Sequence, residues 1–263
     1  GRCESECAGP LLTHACYLGL SATAKSMDCS GYGVTGTIPD ALSDLVRLTV
    51  LELQDNALQG TIPSSLGNLT KLTYLQMGNN HLEGTIPSAI GGLSLLKTLR
   101  MYSNELTGTI PAALSNLTLL TKLDPHDTKV AGTLPVTLVE KLVELNYFAM
   151  YNMALSGTIP HALNNLAKVE FFALSGNKLS GSLPPALGDL SELTQLSMGA
   201  NPQMTGKLPG ALGKLAKLKY LTLGDMQLTG TVPAALGGLS LLTDLRLHSN
   251  ELAGEVPSSL GNL

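Results

Sequence analysis

Apolar and polar positions repeat along this chain with a step of 24 or 25 residues, and each step holds two rhythms. From Leu48 onward the apolar positions are Leu48, Leu51, Leu53, Leu58, Ile62, Leu66, Leu69 and Leu72. Leu51-Glu52-Leu53 alternates apolar and polar, the period of a strand with one buried face. Asn56 and Gly60 follow where the chain must turn, and Pro63 fixes φ and donates no hydrogen bond. Leu66, Leu69 and Leu72 then recur every three residues, which predicts a short 3-10-like or irregular return. Ten Gly-x-(Ile/Leu/Val)-Pro segments mark the steps, from Gly36–Pro39 to Gly254–Pro257. One such unit cannot bury an apolar face alone, so the period predicts a solenoid of about ten coils sharing one leucine spine. Stacked strands form a parallel sheet about 4.8 Å per coil. The bulkier return side predicts curvature, with the strands on the concave face.

The motif Leu48-x-x-Leu51-x-Leu53-x-x-Asn56-x-Leu58-x-Gly60-x-Ile62-Pro63 resembles the plant-type leucine-rich repeat, and the likeness runs from about Met27 to Leu263. The family includes receptor-like kinase ectodomains and polygalacturonase-inhibiting proteins. The resemblance implies a right-handed α/β superhelix, a second short sheet at the Gly-x-Ile-Pro flank, and 3-10 or irregular returns on the convex side. It also implies a disulfide-bonded cap over the first coil, although this chain has no tryptophan, the aromatic commonly found there.

The repeat has irregular places. The column at Asn56 continues as Asn80, Asn104, Thr128, Met153, Asn177, Asn201, Met226 and Asn250. A buried Asn has enough donors and acceptors to bridge adjacent coils. Met153 and Met226 lack them, which predicts loosening or a trapped water at those coils. Pro125 stands where Leu53 stands and removes one ladder donor. Two coils carry an extra residue, one near Glu140 to Leu142 and one at Pro202 or Gln203.

The four cysteines, Cys3, Cys7, Cys16 and Cys29, cluster at the start. Three disulfide pairings are open, and sequence does not choose among them. Zinc is the weaker reading, since the spacing is uneven and His14 is the only nearby histidine. We therefore read residues 1–30 as a cysteine-containing cap and 31–263 as the solenoid. The sequence stops within a repeat at Gly261-Asn262-Leu263, so it reads as a solenoid truncated at its C-terminus. Net charge is −4, with Lys and Arg scattered, which argues against nucleic acid as a partner. The sequence holds no apolar run long enough for membrane insertion. Sequons at Asn68 and Asn116, with the cysteines, point to a secreted or ectodomain chain in an oxidising compartment.

Strand alternation leaves an outward triplet in each coil, such as Tyr74, Gln76, Gly78 and Thr98, Arg100, Tyr102. Five of seven tyrosines fall in these triplets. The candidate ligand-binding residues are Tyr74, Arg100, Tyr102, His126, Tyr147, Tyr151, Phe171 and Tyr220. Tyr102, His126 and Tyr151 are expected to stack in one column, and Tyr147 beside Phe171 in another. Sheet surfaces accept aromatics in any case, but tyrosine joins apolar area to a hydroxyl, as recognition surfaces require. The smooth stretch Ser197, Gly199, Ala200, Thr222 and Gly224 reads either as room for close approach of a ligand backbone or as plain featureless surface.

These features favour a non-catalytic module that recognises a protein, peptide or glycan. A structural subunit of an extracellular or lumenal assembly is the second reading. Ice binding by the column Thr37, Thr61, Thr85, Thr109, Thr133, Thr158 and Thr231 ranks third. Asp124, His126, Asp127 and Ser103 place an acid, a base and a hydroxyl near one another, but no oxyanion hole or nucleophile turn accompanies them. No enzyme activity, cofactor or metal is expected.

Overall fold

The computed structural model describes residues 9–13, 17, 20, 21 and 23–263. Cys3, Cys7, His14 and Cys16 lie outside the described residues. No helix among those described is long and apolar enough to cross a membrane.

The chain divides into two compact units, Gly1–Ala131 and Gly132–Leu263. In the first, parallel strands Ser26–Asp28, Val50–Glu52, Tyr74–Gln76, Thr98–Arg100 and Lys122–Asp124 form the inner sheet. Their central residues align as Met27, Leu51, Leu75, Leu99 and Leu123, all buried. A flank sheet pairs Gly9–Pro10, Val34–Thr37, Ala57–Thr61 and His81–Glu83. In the second unit the inner strands are Tyr147–Ala149, Phe171–Ala173, Gln195–Ser197, Tyr220–Thr222 and Asp244–Arg246. Their flank partners include Ala154–Gly157, Lys178–Ser182, Gln203–Lys207, Gln227–Gly230 and Glu251–Leu252. Phe148 and Phe172 replace the central leucine in two strands and stack inside the core, with centroids 5.2 Å apart.

The predicted period of three produces the returns. Pro63 is extended (φ −70°, ψ 138°) and opens the 3-10 helix Ser64–Asn68. Leu66, Leu69 and Leu72 point inward and are fully buried, each contributing about 2 kcal/mol of transfer free energy. Adjacent returns touch backbone to backbone. A Cβ on Gly67 would lie 2.5 Å from the Ala89 carbonyl oxygen, and one on Gly188 would lie 2.2 Å from that of Ala211. Where glycine holds this position, as at Gly67, Gly91, Gly188, Gly213 and Gly237, it permits this close approach of the next coil; Ser115 and Val139 take the same place in other coils.

Each asparagine of the ladder does what its chemistry predicts. Asn201 is fully buried; its Nδ2 donates to the carbonyls of Leu174 (3.0 Å), Met198 (2.7 Å) and Gly199 (3.3 Å). Its Oδ1 accepts from Leu179 N–H at 3.0 Å in the preceding coil. Asn56, Asn80, Asn104, Asn177 and Asn250 repeat the arrangement. Thr128 instead returns its hydroxyl to Pro125 O at 2.9 Å in its own coil.

The expected loosening at Met226 is corrected by the structure. The amide an asparagine there would satisfy belongs to Met204, which donates to Asn201 O at 3.0 Å. The extra residue after Asn201 makes this turn, with Pro202 in it. Insertion and substitution thus form one compensated pair. Met226 and Met153 are 5% and 7% exposed. The other insertion turns a 3-10 return into the α-helix Val136–Lys141, where Leu142 N–H reaches Leu138 O four residues back. Pro125 is buried just beyond the strand Lys122–Asp124, not inside it. It does remove the donor that Leu53, Met77 and Met101 provide to the next coil.

A column that sequence reading passed over precedes the ladder. Asp55, Asn79, Ser103, Asp127, Asn152, Ala200, Asp225 and Ser249 all take φ of 50° to 60°. Asn, Asp and Ser tolerate this region through short polar side chains, and that bias is the sequence signal. The threonine column also has a packing role. The Cγ2 methyls of Thr37, Thr61 and Thr85 lie 3.0, 2.8 and 2.7 Å from where Cβ atoms of Gly60, Gly84 and Gly108 would stand. These glycines have φ of 72° to 77°, so both backbone and neighbour exclude a side chain.

Candidate ligand-binding face

The outward residues of the inner strands divide by unit. In the first unit Gln76, Arg100 and Asp124 end adjacent strands at equivalent positions. The triplets are not uniformly solvent-facing as sequence alternation implied. Asp124 is 2%, Gln76 6% and Thr98 7% exposed, because long neighbours fold over them. Asp124 Oδ1 hydrogen-bonds His126 Nδ1, and Oδ2 lies 3.6 Å from Arg100 Nε. His126 Nε2 lies 3.6 Å from Asp127 Oδ2. A buried carboxylate therefore anchors a cation and an imidazole.

The anchored imidazole stacks on Tyr102, with ring centroids 4.9 Å apart and planes 4° from parallel. Tyr102 lies over Gly78, where a Cβ would come within 2.6 Å of the ring. Gly78 is thus a seat for the ring. Tyr74 Oη donates to Gln76 Oε1 at 2.5 Å. Tyr74, Arg100, Tyr102 and His126 are all half-buried, held by neighbours but open on one side. Ser103 meets His126 through its backbone, donating to His126 O at 2.9 Å.

Burial pushes the Tyr74 phenol above its ordinary value of 10.0; Glu52 adds to the rise and Arg100 opposes it. Burial also raises Tyr102, followed by Asp55, again against Arg100. Both rings are neutral hydroxyl donors at physiological pH. The fold favours the protonated form, so this contribution to stability is complete below pH 10 and is lost as pH rises through the raised values. Denaturant midpoints should fall above pH 10, and more weakly in Tyr74→Phe and Tyr102→Phe.

In the second unit Tyr147 and Phe171 stack as expected, with centroids 4.4 Å apart and planes 8° from parallel. A shallow depression of about 260 Å³ is lined by Tyr151, Phe171, Ala173, Ser175, Gln195 and Ser197. Ala149 and Ala173 are buried beneath the rings. Tyr220 is 45% exposed. Two of the smooth positions are fixed by their neighbours. His248 covers Gly224, with ring atoms 2.7 Å from where its Cβ would stand, and a Cβ on Gly199 would lie 2.7 Å from Gly224 O. Neighbouring coils, not open space, require these glycines.

Cys29 is fully buried and disulfide-bonded. Among the described residues no group of three His, Cys, Asp or Glu is placed to hold a metal ion. Asn68 and Asn116 are exposed at the ends of the 3-10 helices Ser64–Asn68 and Ala112–Asn116.

This architecture is matched by known proteins. The Leucine Rich Repeat family model matches residues 47–69, 71–93, 95–117, 168–190 and 241–263. The crystal structure of PEPR1–AtPEP1 superposes with a TM-score of 0.90 and 36% identity, covering 97% of this chain and 35% of that one. The Arabidopsis receptor kinase HAESA ectodomain, solved with an IDA peptide hormone, gives 0.89 and 31%, covering 97% and 42%. The plant peptide hormone receptor RGFR1 with RGF2 gives 0.83 and 30%, covering 99% and 44%. The chain spans between about a third and a half of the length of these receptors. A search of curated protein sequences gave no match. The chain is a leucine-rich repeat protein of the plant type.

Proposed function

We infer that the chain is a non-catalytic module that captures an extended extracellular peptide or protein segment along its strand-lined face. The observation that carries this reading is the preorganised group around Asp124. A buried carboxylate fixes Arg100 and His126, His126 fixes Tyr102, and Gly78 seats the ring. Such rigidity lowers the ordering cost of binding, and half-buried tyrosine and arginine are favoured anchors. Tyr147, Tyr151, Phe171 and Tyr220 supply apolar anchors in the second unit. The complexes of PEPR1, RGFR1 and HAESA with peptides support the same class of ligand.

Tyr102→Ala and Tyr151→Ala should each weaken binding by about 2 kcal/mol, with little change in melting temperature. The measurement is calorimetric titration with a peptide selected on the wild-type chain. Unchanged affinity in both variants removes this face as the site.

The compartment reading rests on Cys29 and the two sequons. Asn68 and Asn116 lie on the returns, away from the inner strands, so glycans there leave the binding face open. Chain secreted from a eukaryotic host should lose mass on N-glycosidase digestion, and Asn68→Gln with Asn116→Gln should abolish the shift.

A further inference from the structure

The two units offer ligands different chemistry. The outward positions of the first carry Glu52, Arg100, Lys122 and His126, with Asp124 buried between Arg100 and His126. In the second, the four five-residue runs 147–151, 171–175, 195–199 and 220–224 contain no charged residue. The next strand ends this neutral stretch with Asp244 and Arg246. Those two satisfy each other, with Arg246 Nη2 at 2.8 Å and Nε at 3.1 Å from the carboxylate. Inside the stretch the polar groups are also matched locally, as Gln195 Nε2 donates to Ser197 Oγ at 3.3 Å.

We propose that the strands from Tyr147 to Gly224 select an uncharged peptide segment and seat one aliphatic or aromatic side chain against Phe171 and Tyr151. This assignment rests on the peptide-binding reading above and adds which chemistry the second unit accepts. An ionised group over the middle of these runs would lose hydration beside apolar walls, and the nearest charges, Glu170, Lys219 and Asp225, stand outside the runs at the strand ends. A neutral backbone keeps its hydrogen bonds to Ser175, Ser197 and Thr222 hydroxyls. Peptide is favoured over sugar by the ring geometry. Tyr147 and Phe171 cover one face each against the other at 4.4 Å, and Gln195 stands beside Phe171 on the next strand, which leaves a narrow depression for a side chain rather than a broad platform for a pyranose ring. The 260 Å³ depression suits one such side chain.

The test pans displayed random linear peptides on the whole chain and sorts binders by variant. Binders that depend on Phe171, shown by about tenfold loss in Phe171→Ala, should share a run of uncharged residues with one bulky apolar member. Placing Asp or Lys within that run should cost about tenfold more. Gln195→Glu, which keeps shape and adds charge, should weaken the same binders about tenfold with an unchanged melting temperature, and spare binders that depend on Tyr102. Phe171-dependent binders that tolerate Asp or Lys in the run, or ignore Gln195→Glu, overturn the neutral-segment assignment alone. A neutral oligosaccharide that displaces these peptides from Phe171 overturns peptide as the occupant. Binders indifferent to both Phe171→Ala and Tyr102→Ala overturn the binding face itself.

Discussion

Asn201→Leu should lower the unfolding free energy by about 3 kcal/mol, the sum expected for one orphaned buried amide and weakened carbonyl partners. The side chain is 0% exposed and serves four backbone groups in two coils. Leucine keeps the branched side-chain skeleton and leaves no cavity, so the loss combines missing hydrogen bonds with some overpacking by its larger methyl groups. Urea midpoints at constant slope are the measurement. The reciprocal change is the control. Met226→Asn should gain almost nothing, because its target, Met204 N–H, already bonds Asn201 O. A gain at position 226 as large as the loss at 201 would mean that the inserted residue does not compensate the missing amide.

Asp124→Ala should destabilise the chain by about 2 kcal/mol and weaken binding at the first unit by about tenfold. A hydrogen bond to a charged group contributes about 1.5 to 3 kcal/mol; Asp124 makes one with His126 and a longer ion pair, at 3.6 Å, with Arg100 Nε. Part exposure of Arg100 keeps the estimate at the lower end. Asp124→Asn preserves shape and an acceptor for His126 but loses the pairing with Arg100. It should therefore retain about half of the stability and most of the Tyr102–His126 stack. Full binding in Asp124→Ala would show that the anchored geometry is incidental to recognition.

Much of this was readable from the residues. The 24-residue step fixes the coils, Leu51-Glu52-Leu53 fixes the strand, and Leu66, Leu69 and Leu72 fix the return. Asn56 and its repeats were identified as bridges from donor count alone. The pairing of Tyr147 with Phe171 follows from equal positions in adjacent strands. What escaped depended on neighbours in space. Asp124 reads as solvent-facing in the alternation, yet His126 and Arg100 close over it. Gly224 reads as smooth surface and Gly78 as one more outward position, yet each lies under a ring from the next coil. Met226 reads as a defect, yet Pro202 repairs it from the preceding coil. Period reports which way a side chain points; only the adjacent coil reports what meets it there.

The close spacing of the returns has a consequence for length. Residues 64–87 begin just after one proline of the repeat and end on the next. A second copy spliced after Pro87 would meet Gly67, Asn80 and Gly84 contacts of the kind it leaves behind. Such a chain is a ruler with one more division: about 4.8 Å longer, with a duplicate of Tyr74 to offer and no new junction to invent.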